Sequence, residues 1–228
     1  MTQSKDGQPG KQGEVCRMYV VVGMVRTRLT RVTWMLEELG QPYDILNVRP
    51  HSEVMNTYNP SGKVPALIDS HGDKDIVIVD SGAICTYLAD RHPDKKMSAE
   101  PGSAERAQID SFLHFAQSEL EAPLWTKAKH RFVLPEELRV REISAACTYE
   151  FDLAIASLEK RLGDGGFAVG ARLTAADILL AHTGMWARKA KFEVKSLRVR
   201  DYFSRMLSRP ALERALARED DYSERGGL

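Results

Sequence analysis

Three short stretches of this sequence combine residue types that can do chemistry. The first is NPSGKVPAL, Asn59 to Leu67. Pro65 stands just ahead of an apolar run. A proline cannot donate to a strand ladder, so the chain must lie at an edge or a bend there. A cis Val64–Pro65 bond would turn the Val64 N–H and C=O outward, where they could pair with an extended peptide-like ligand as a one-residue strand addition. An ordinary proline at the head of a strand has the same spacing. The second stretch is DSGAICTYL, Asp80 to Leu88, where a strand meets a helix. Asp80 or Ser81 can act there as a helix N-cap. The same place offers free N–H groups and the positive end of a helix, so Ser81 could hold a carboxylate while Asp80 pairs with an ammonium. A zwitterionic amino-acid end would satisfy both. The third stretch is GMVRTRLTR, Gly23 to Arg31. Thr27 can cap the helix that starts here, or aim its hydroxyl at a ligand atom where the helix dipole favours negative charge. Arg28 and Arg31 raise the local positive field, although arginines so spaced also suit a solvated helix face.

These stretches need a frame. YVVVG, from Tyr19 to Gly23, is a short buried strand closed by glycine. Leu29, Val32, Leu36 and Leu39 recur at helical spacing up to Gly40, which ends the helix. Tyr43 to Val48 is a second strand, and Ser52 to Tyr58 a short helix. Ala66 to Asp69 and Ile76 to Val79 are strands around the polar hairpin SHGDKD, and Ser81 to Arg91 is a helix. The hairpin pair must be antiparallel, while the strand–helix–strand crossover gives parallel pairing, so the sheet is mixed. Residues 93–103 contain two prolines and no periodicity, and read as a linker between a unit at 18–92 and a helical domain at 104–217. The expected helices are Ala104 to Lys129, Glu136 to Leu162, Ala175 to Ala190, Leu197 to Ser208 and a short Ala211 to Ala217. Residues 1–17 read as a disordered polar arm, and residues 218–228 as a C-terminal tail.

The length of 228 residues allows one large domain or two small ones. The 32 basic and 32 acidic residues cancel, which argues against a nucleic-acid binder. No apolar run approaches the roughly 18 residues of a membrane span, and the first residues lack a signal-peptide core. The three cysteines, Cys16, Cys85 and Cys147, form no CxxC and no metal spacing, and they fit a reducing cytoplasm. His114 and His130 have no ligand spacing between them, so no metal is expected.

In this order and spacing the elements resemble the glutathione transferase family, from about Met18 to Ala217. The resemblance rests on RVTWMLEELGQPY in the first helix and its exit, on NPSGKVPAL and DSGAICTYL, and on FAVGARLTAADILLAH. It implies an α/β plus all-α fold, with a thioredoxin-like N-terminal domain containing a mixed four-stranded sheet, followed by a C-terminal helical bundle. It also implies a cytosolic, bacterial-like enzyme with a serine/threonine-type site, glutathione as co-substrate, no metal, and a homodimer that detoxifies small hydrophobic electrophiles. Carried over by position, Val64 beside Pro65 bonds the cysteinyl main chain. Asp80 and Ser81 hold the γ-glutamyl end, and His51 and Lys63 adjoin the glycyl carboxylate. Thr27 aligns with the serine that contacts the sulfur in some classes. Tyr19 stands too early to be the tyrosine of other classes, and no cysteine occurs from Arg17 to Ile84. Thr27 and Arg28 are therefore the expected catalytic pair.

A free thiol has a pKa of about 8.5, and a hydroxyl donor with a helix N-terminus and Arg28 could lower it by about 1–2 units, or roughly 1.4–2.7 kcal/mol. Phe112, Phe115, Trp125 and His130, with Phe132 and Trp186, are candidates to line the electrophile pocket, although such aromatics serve equally as bundle core. The alternatives are a non-catalytic glutathione-binding scaffold, or a glutathione-dependent isomerase, peroxidase or dehalogenase. Thr174 and Asp177 form a Thr-x-x-Asp capping box that Leu173 can staple, and loss of Asp177 is expected to cost about 1–2 kcal/mol.

Overall fold

The apolar run at Tyr19–Gly23 forms β1, buried on both faces as an interior strand must be. The computed structural model describes residues 18–226. The expected arm at 1–17 lies outside the described residues. β1 pairs in parallel with β2 (Tyr43–Asn47) and antiparallel with β3 (Ala66–Asp69), which carries β4 (Ile76–Val79) at the edge. The order is β2-β1-β3-β4, the mixed four-stranded sheet expected from the sequence. α1 (Leu29–Leu39) covers one face of this sheet and ends at Gly40, whose φ of 67° lets the Gln41 N–H reach back to the Leu36 carbonyl at 3.0 Å. α2 (Glu53–Tyr58) starts at Ser52, whose hydroxyl accepts from the Met55 N–H, and its Met55 packs with Val22 and Ala66 on the other face. α3 (Ser81–Arg91) follows β4 directly.

The remaining described elements are helical. α4 (Ala104–Phe115) passes through a wide π turn at Ala116–Leu120 into α5 (Ala122–Ala128), and a second π turn spans Lys129–Val133. The sequence predicts a single helix over 104–129. Pro123 has no N–H to donate and its ring crowds the preceding turn, so the ladder widens and restarts there. α6 (Ile143–Arg161) begins later than the expected Glu136. Leu138 and Val140 alternate with charged neighbours and stay exposed, so no helical apolar face exists before Ile143. α7 (Ala175–Lys189) and α8 (Leu197–Leu207) cross closely at Gly184, where a Cβ would lie 2.6 Å from the Phe203 ring.

α9 (Pro210–Gly226) corrects the sequence reading most, because it continues through most of the expected tail. Polar bonds hold it against the first half of the chain. Arg209 pairs with Glu38, Arg214 with Glu37, Arg218 donates to the Tyr43 carbonyl, and Glu219 is wholly buried. One large apolar core runs from Tyr19 and α1 through α3 into α4, α6, α7 and α8, so the two halves share their interior.

Candidate active site

The NPSG turn is built from its own side chains. Asn59 is buried, donates to the Lys63 carbonyl at 2.7 Å, and accepts from the Ser61 N–H and hydroxyl. Gly62 sits at φ 67°, and a Cβ there would come within 2.4 Å of His51 Nδ1, so glycine is required. The His51 N–H bonds the Gly62 carbonyl at 2.7 Å, which brings exposed His51 and Lys63 to the same turn. The Val64–Pro65 bond is cis. Among the described residues, neither the N–H nor the C=O of Val64 has a hydrogen-bond partner. Gly23 lets the end of β1 approach this point, since its Cβ would meet Val64 Cβ at 2.9 Å.

Asp80 does cap α3. Its Oδ1 accepts from the Gly82 N–H at 2.8 Å, the Ala83 N–H at 3.3 Å and Gln117 Nε2 at 2.9 Å. Its Oδ2 takes no donor among the described residues. Ser81 is buried, and its Oγ accepts from Arg31 Nη1 at 3.1 Å, leaving its own O–H to donate. A cavity of about 510 Å³ opens beside Asp80 between α3 and α4, with Thr86, Asp90, His114 and Gln117 in its wall.

Thr27 precedes α1. Its hydroxyl donates to the Met24 carbonyl at 2.6 Å and accepts from the Leu29 N–H at 3.3 Å. Arg28 turns toward the helical half. Its Nε donates to Glu121 at 2.6 Å, and its Cζ lies 5.0 Å from the Trp125 ring centroid and 5.1 Å from that of Trp186. Arg31 is not on a solvated face, for it is wholly buried. Its guanidinium donates to Ser81, to Thr183 at 3.0 Å, to Glu121, and through Nε to His182 Nδ1 at 3.1 Å. That last bond makes Nδ1 the acceptor, so Nε2 carries the proton and donates to the Thr27 carbonyl at 3.1 Å.

Burial and the facing Arg31 hold the His182 imidazole well below its ordinary pKa, so it stays neutral. The unfolded chain takes up a proton at this histidine below about pH 6.5, and the folded chain does not, so this share of stability is lost as pH falls through that value. Below it the wild type should lose up to about 1.4 kcal/mol more per pH unit than His182→Gln. Guanidinium unfolding of both proteins across this range checks it, and equal slopes would show that the imidazole titrates alike in both states.

The expected pocket aromatics divide. Phe112 and Phe115 are buried in the core, with Arg161 Cζ 4.5 Å from each ring centroid. Phe132 is 66% exposed. His130 accepts from the Val140 N–H and lines a separate cavity of about 430 Å³ with Lys127, Arg131 and Arg141. Trp125 and Trp186 each present a ring to the Arg28 guanidinium. Cys85 is buried with its thiol pushed up to about 12 by desolvation, which makes it a poor nucleophile. Sequence reasoning missed Gln117, Glu121, His182, Thr183 and Glu219, whose partners lie far away along the chain. No group of three or more metal-ligating side chains exists among the described residues, and no helix there is long and apolar enough to cross a membrane.

The glutathione S-transferase N-terminal domain family matches residues 29–96, and the C-terminal domain family matches residues 128–218. The chain is 28% identical over 194 residues to glutathione S-transferase GstA of Escherichia coli O157:H7, covering 81% of this chain and 90% of that protein. A glutathione transferase of Phanerochaete chrysosporium, URE2P8, solved with oxidised glutathione, superposes with a TM-score of 0.78 at 22% identity over 91% of this chain and 97% of that one. Ure2p5 of the same organism, cocrystallised with 1-(S-glutathionyl)-2,4-dinitrobenzene, gives 0.78 at 21% identity over 93% of this chain and 99% of that one.

Proposed function

Because the chain belongs to the glutathione S-transferase family, we propose that it activates the glutathione thiol as a thiolate for attack on a small electrophile. The observation that carries this reading is that, among the described residues, the N–H and C=O of Val64 beside the cis Val64–Pro65 bond are both unpartnered. Val64 would exchange two hydrogen bonds with the cysteinyl residue, as one added rung of strand. Ser81 would donate to the γ-glutamyl carboxylate, and Asp80 Oδ2 would take the ammonium. His51 and Lys63 would adjoin the glycyl carboxylate. The sulfur would then lie over the start of α1, where Thr27 can turn its O–H from the Met24 carbonyl onto the thiolate. The thiol proton leaves to solvent, the sulfur lone pair forms a C–S bond, and the electrophile's leaving group departs with its electrons. Trp125 and Trp186, with Arg28 fixed between them and Glu121, would form the apolar wall for a small hydrophobic electrophile.

The unit at 18–92 would hold glutathione and the helices from Ala104 onward the electrophile, with 93–103 as the linker. Ile76, Val77 and Val79 on edge strand β4 are 44%, 47% and 38% exposed, which supports a homodimer covering that edge. Buried, unpaired Cys85 and Cys147 fit a cytoplasmic enzyme.

Thr27→Val should lower turnover at neutral pH about 10-fold, the worth of one pKa unit of thiolate stabilisation, with glutathione affinity unchanged within about 2-fold. Steady-state kinetics with 1-chloro-2,4-dinitrobenzene and calorimetry with glutathione measure both. Unchanged turnover removes Thr27 from the mechanism. A non-catalytic glutathione-binding role has one observation in its favour, that the Thr27 hydroxyl is already given to Met24 at 2.6 Å. Binding of glutathione by the wild type without turnover would establish that role instead.

A further inference from the structure

We propose that His182 and Glu219, buried side chains of the helical half, are positioning residues for the Thr27 hydroxyl, clamping the backbone on either side of it. This rests on the reading of Thr27 given above. The segment from Met24 to Arg28 has no regular structure of its own, and Arg26 sits at φ 61°, a region that non-glycine residues enter at a cost of about 1 kcal/mol or more. Such a backbone persists only where its surroundings fix it. Two contacts do so. The Arg26 N–H donates to Glu219 Oε2 at 2.8 Å, and the Thr27 carbonyl receives the Nε2–H of His182 at 3.1 Å.

Both clamps are themselves held. Glu219 accepts from the Thr30 hydroxyl at 2.9 Å and the Thr33 hydroxyl at 2.7 Å, both on α1. His182 is locked in its donor tautomer by Arg31 Nε. The surface pair between Arg26 and Asp220 adds little, since both groups are substantially exposed. The hydroxyl between the two clamped peptides therefore has a fixed origin. A displacement of about 1 Å at a group that must meet a developing charge is enough to cost a large factor in rate. Arg31 extends the arrangement, since the same guanidinium that orients His182 also bonds Ser81.

His182→Asn is the informative variant. The Asn carbonyl can keep the bond to Arg31 Nε, but the side chain is too short to reach the Thr27 carbonyl. His182→Gln can make both bonds. Glu219→Ala removes the acceptor for the Arg26 N–H, whereas Glu219→Gln retains an oxygen for it and lets the Thr33 hydroxyl reverse. The full-length proteins are compared by the pH profile of kcat/KM with glutathione and 1-chloro-2,4-dinitrobenzene, and by calorimetry with glutathione alone.

His182→Asn and Glu219→Ala should move the apparent thiol pKa toward its free value of about 8.5 and lower kcat at neutral pH about 10-fold, with glutathione affinity within about 2-fold. The two glutamine variants should track the wild type. In a Thr27→Val background neither disruptive change should move the profile further. A folded His182→Asn protein with the wild-type profile overturns the proposal. So does a loss of glutathione affinity equal to the loss of turnover, which would mark general structural damage. Should Glu219→Ala fail to fold, His182→Asn against His182→Gln decides. A wild type that binds glutathione without turnover defeats the functional reading and this inference with it, whereas an active wild type with an unmoved His182→Asn profile defeats this inference alone.

Discussion

Glu121→Ala should lower the free energy of unfolding by about 3–5 kcal/mol, because it strips the counterion from a fully buried arginine. Arg31 has no exposed surface, and among the described residues Glu121 is the only carboxylate its guanidinium bonds. The remaining partners, Ser81, Thr183 and His182 Nδ1, are neutral acceptors that disperse the charge without cancelling it. An intact buried ion pair contributes little net stability, since desolvation offsets most of the attraction, but removing one partner leaves the whole desolvation cost of the other. Glu121 also receives Arg28, so the substitution frees the guanidinium that spans Trp125 and Trp186.

The pH dependence has a definite sign. Burial raises the Glu121 carboxyl, but Arg31 and Arg28 outweigh it and hold the pKa below its ordinary value. Its contribution is therefore present above the unfolded value of about 4.3 and is lost as pH falls through the lower folded one. Guanidinium unfolding at neutral pH and in mild acid measures both effects. A Glu121→Ala midpoint within about 0.5 kcal/mol of the wild type would mean that Arg31 reaches water or another anion, and that the buried cluster is not the junction its geometry implies.

The sheet and its flanking helices are legible because each is written in local chemistry. YVVVG can only be an interior strand, Gly40 ends α1 by taking the left-handed conformation, and a four-residue hairpin strand must pair with its neighbour. The glutathione-site candidates are legible for the same reason, since Asn59, Gly62, Pro65 and Asp80 act within a few residues of themselves. Arg31 shows where that ends. Its spacing suits a solvent-facing position, yet α1 is covered by α3, α7 and α9 and has no such face over its first two turns. Glu121, His182 and Glu219 have no short-range signature at all. Each looks like an ordinary polar residue of a surface helix, and each meets its partner only after the helices pack. α9 is hidden for a related reason, because polar contacts of Arg218 and Glu219 fix its second half to β2 and α1, and apolar periodicity does not report those.

Asp177 shows how packing can enlarge an effect that the sequence gives only in part. As a helix cap alone, its loss is expected to cost about 1–2 kcal/mol. In the fold it has no exposed surface and accepts four hydrogen bonds. Oδ1 takes the Ala168 N–H at 2.7 Å and the Tyr202 hydroxyl at 2.8 Å, and Oδ2 takes the Thr174 N–H at 2.8 Å and its hydroxyl at 3.0 Å. The carboxylate thus joins the 163–174 loop, α7 and α8 at one point. Asp177→Ala leaves two buried N–H groups and two hydroxyls without an acceptor, each costing about 1–3 kcal/mol before relaxation, so a total loss of about 3–5 kcal/mol is expected. Asp177→Asn should recover little of this. Its NH₂ must replace one of the two oxygens, and each oxygen already faces a backbone N–H that cannot reverse. The hydroxyls of Thr174 and Tyr202 can turn to accept, but the Ala168 or Thr174 amide is left opposed by another donor. Urea unfolding of the two variants separates the possibilities. A stable Asn protein would show that the loop moves to accommodate the amide, whereas near-equal losses for Asn and Ala would establish that four converging donors demand the ionised carboxylate.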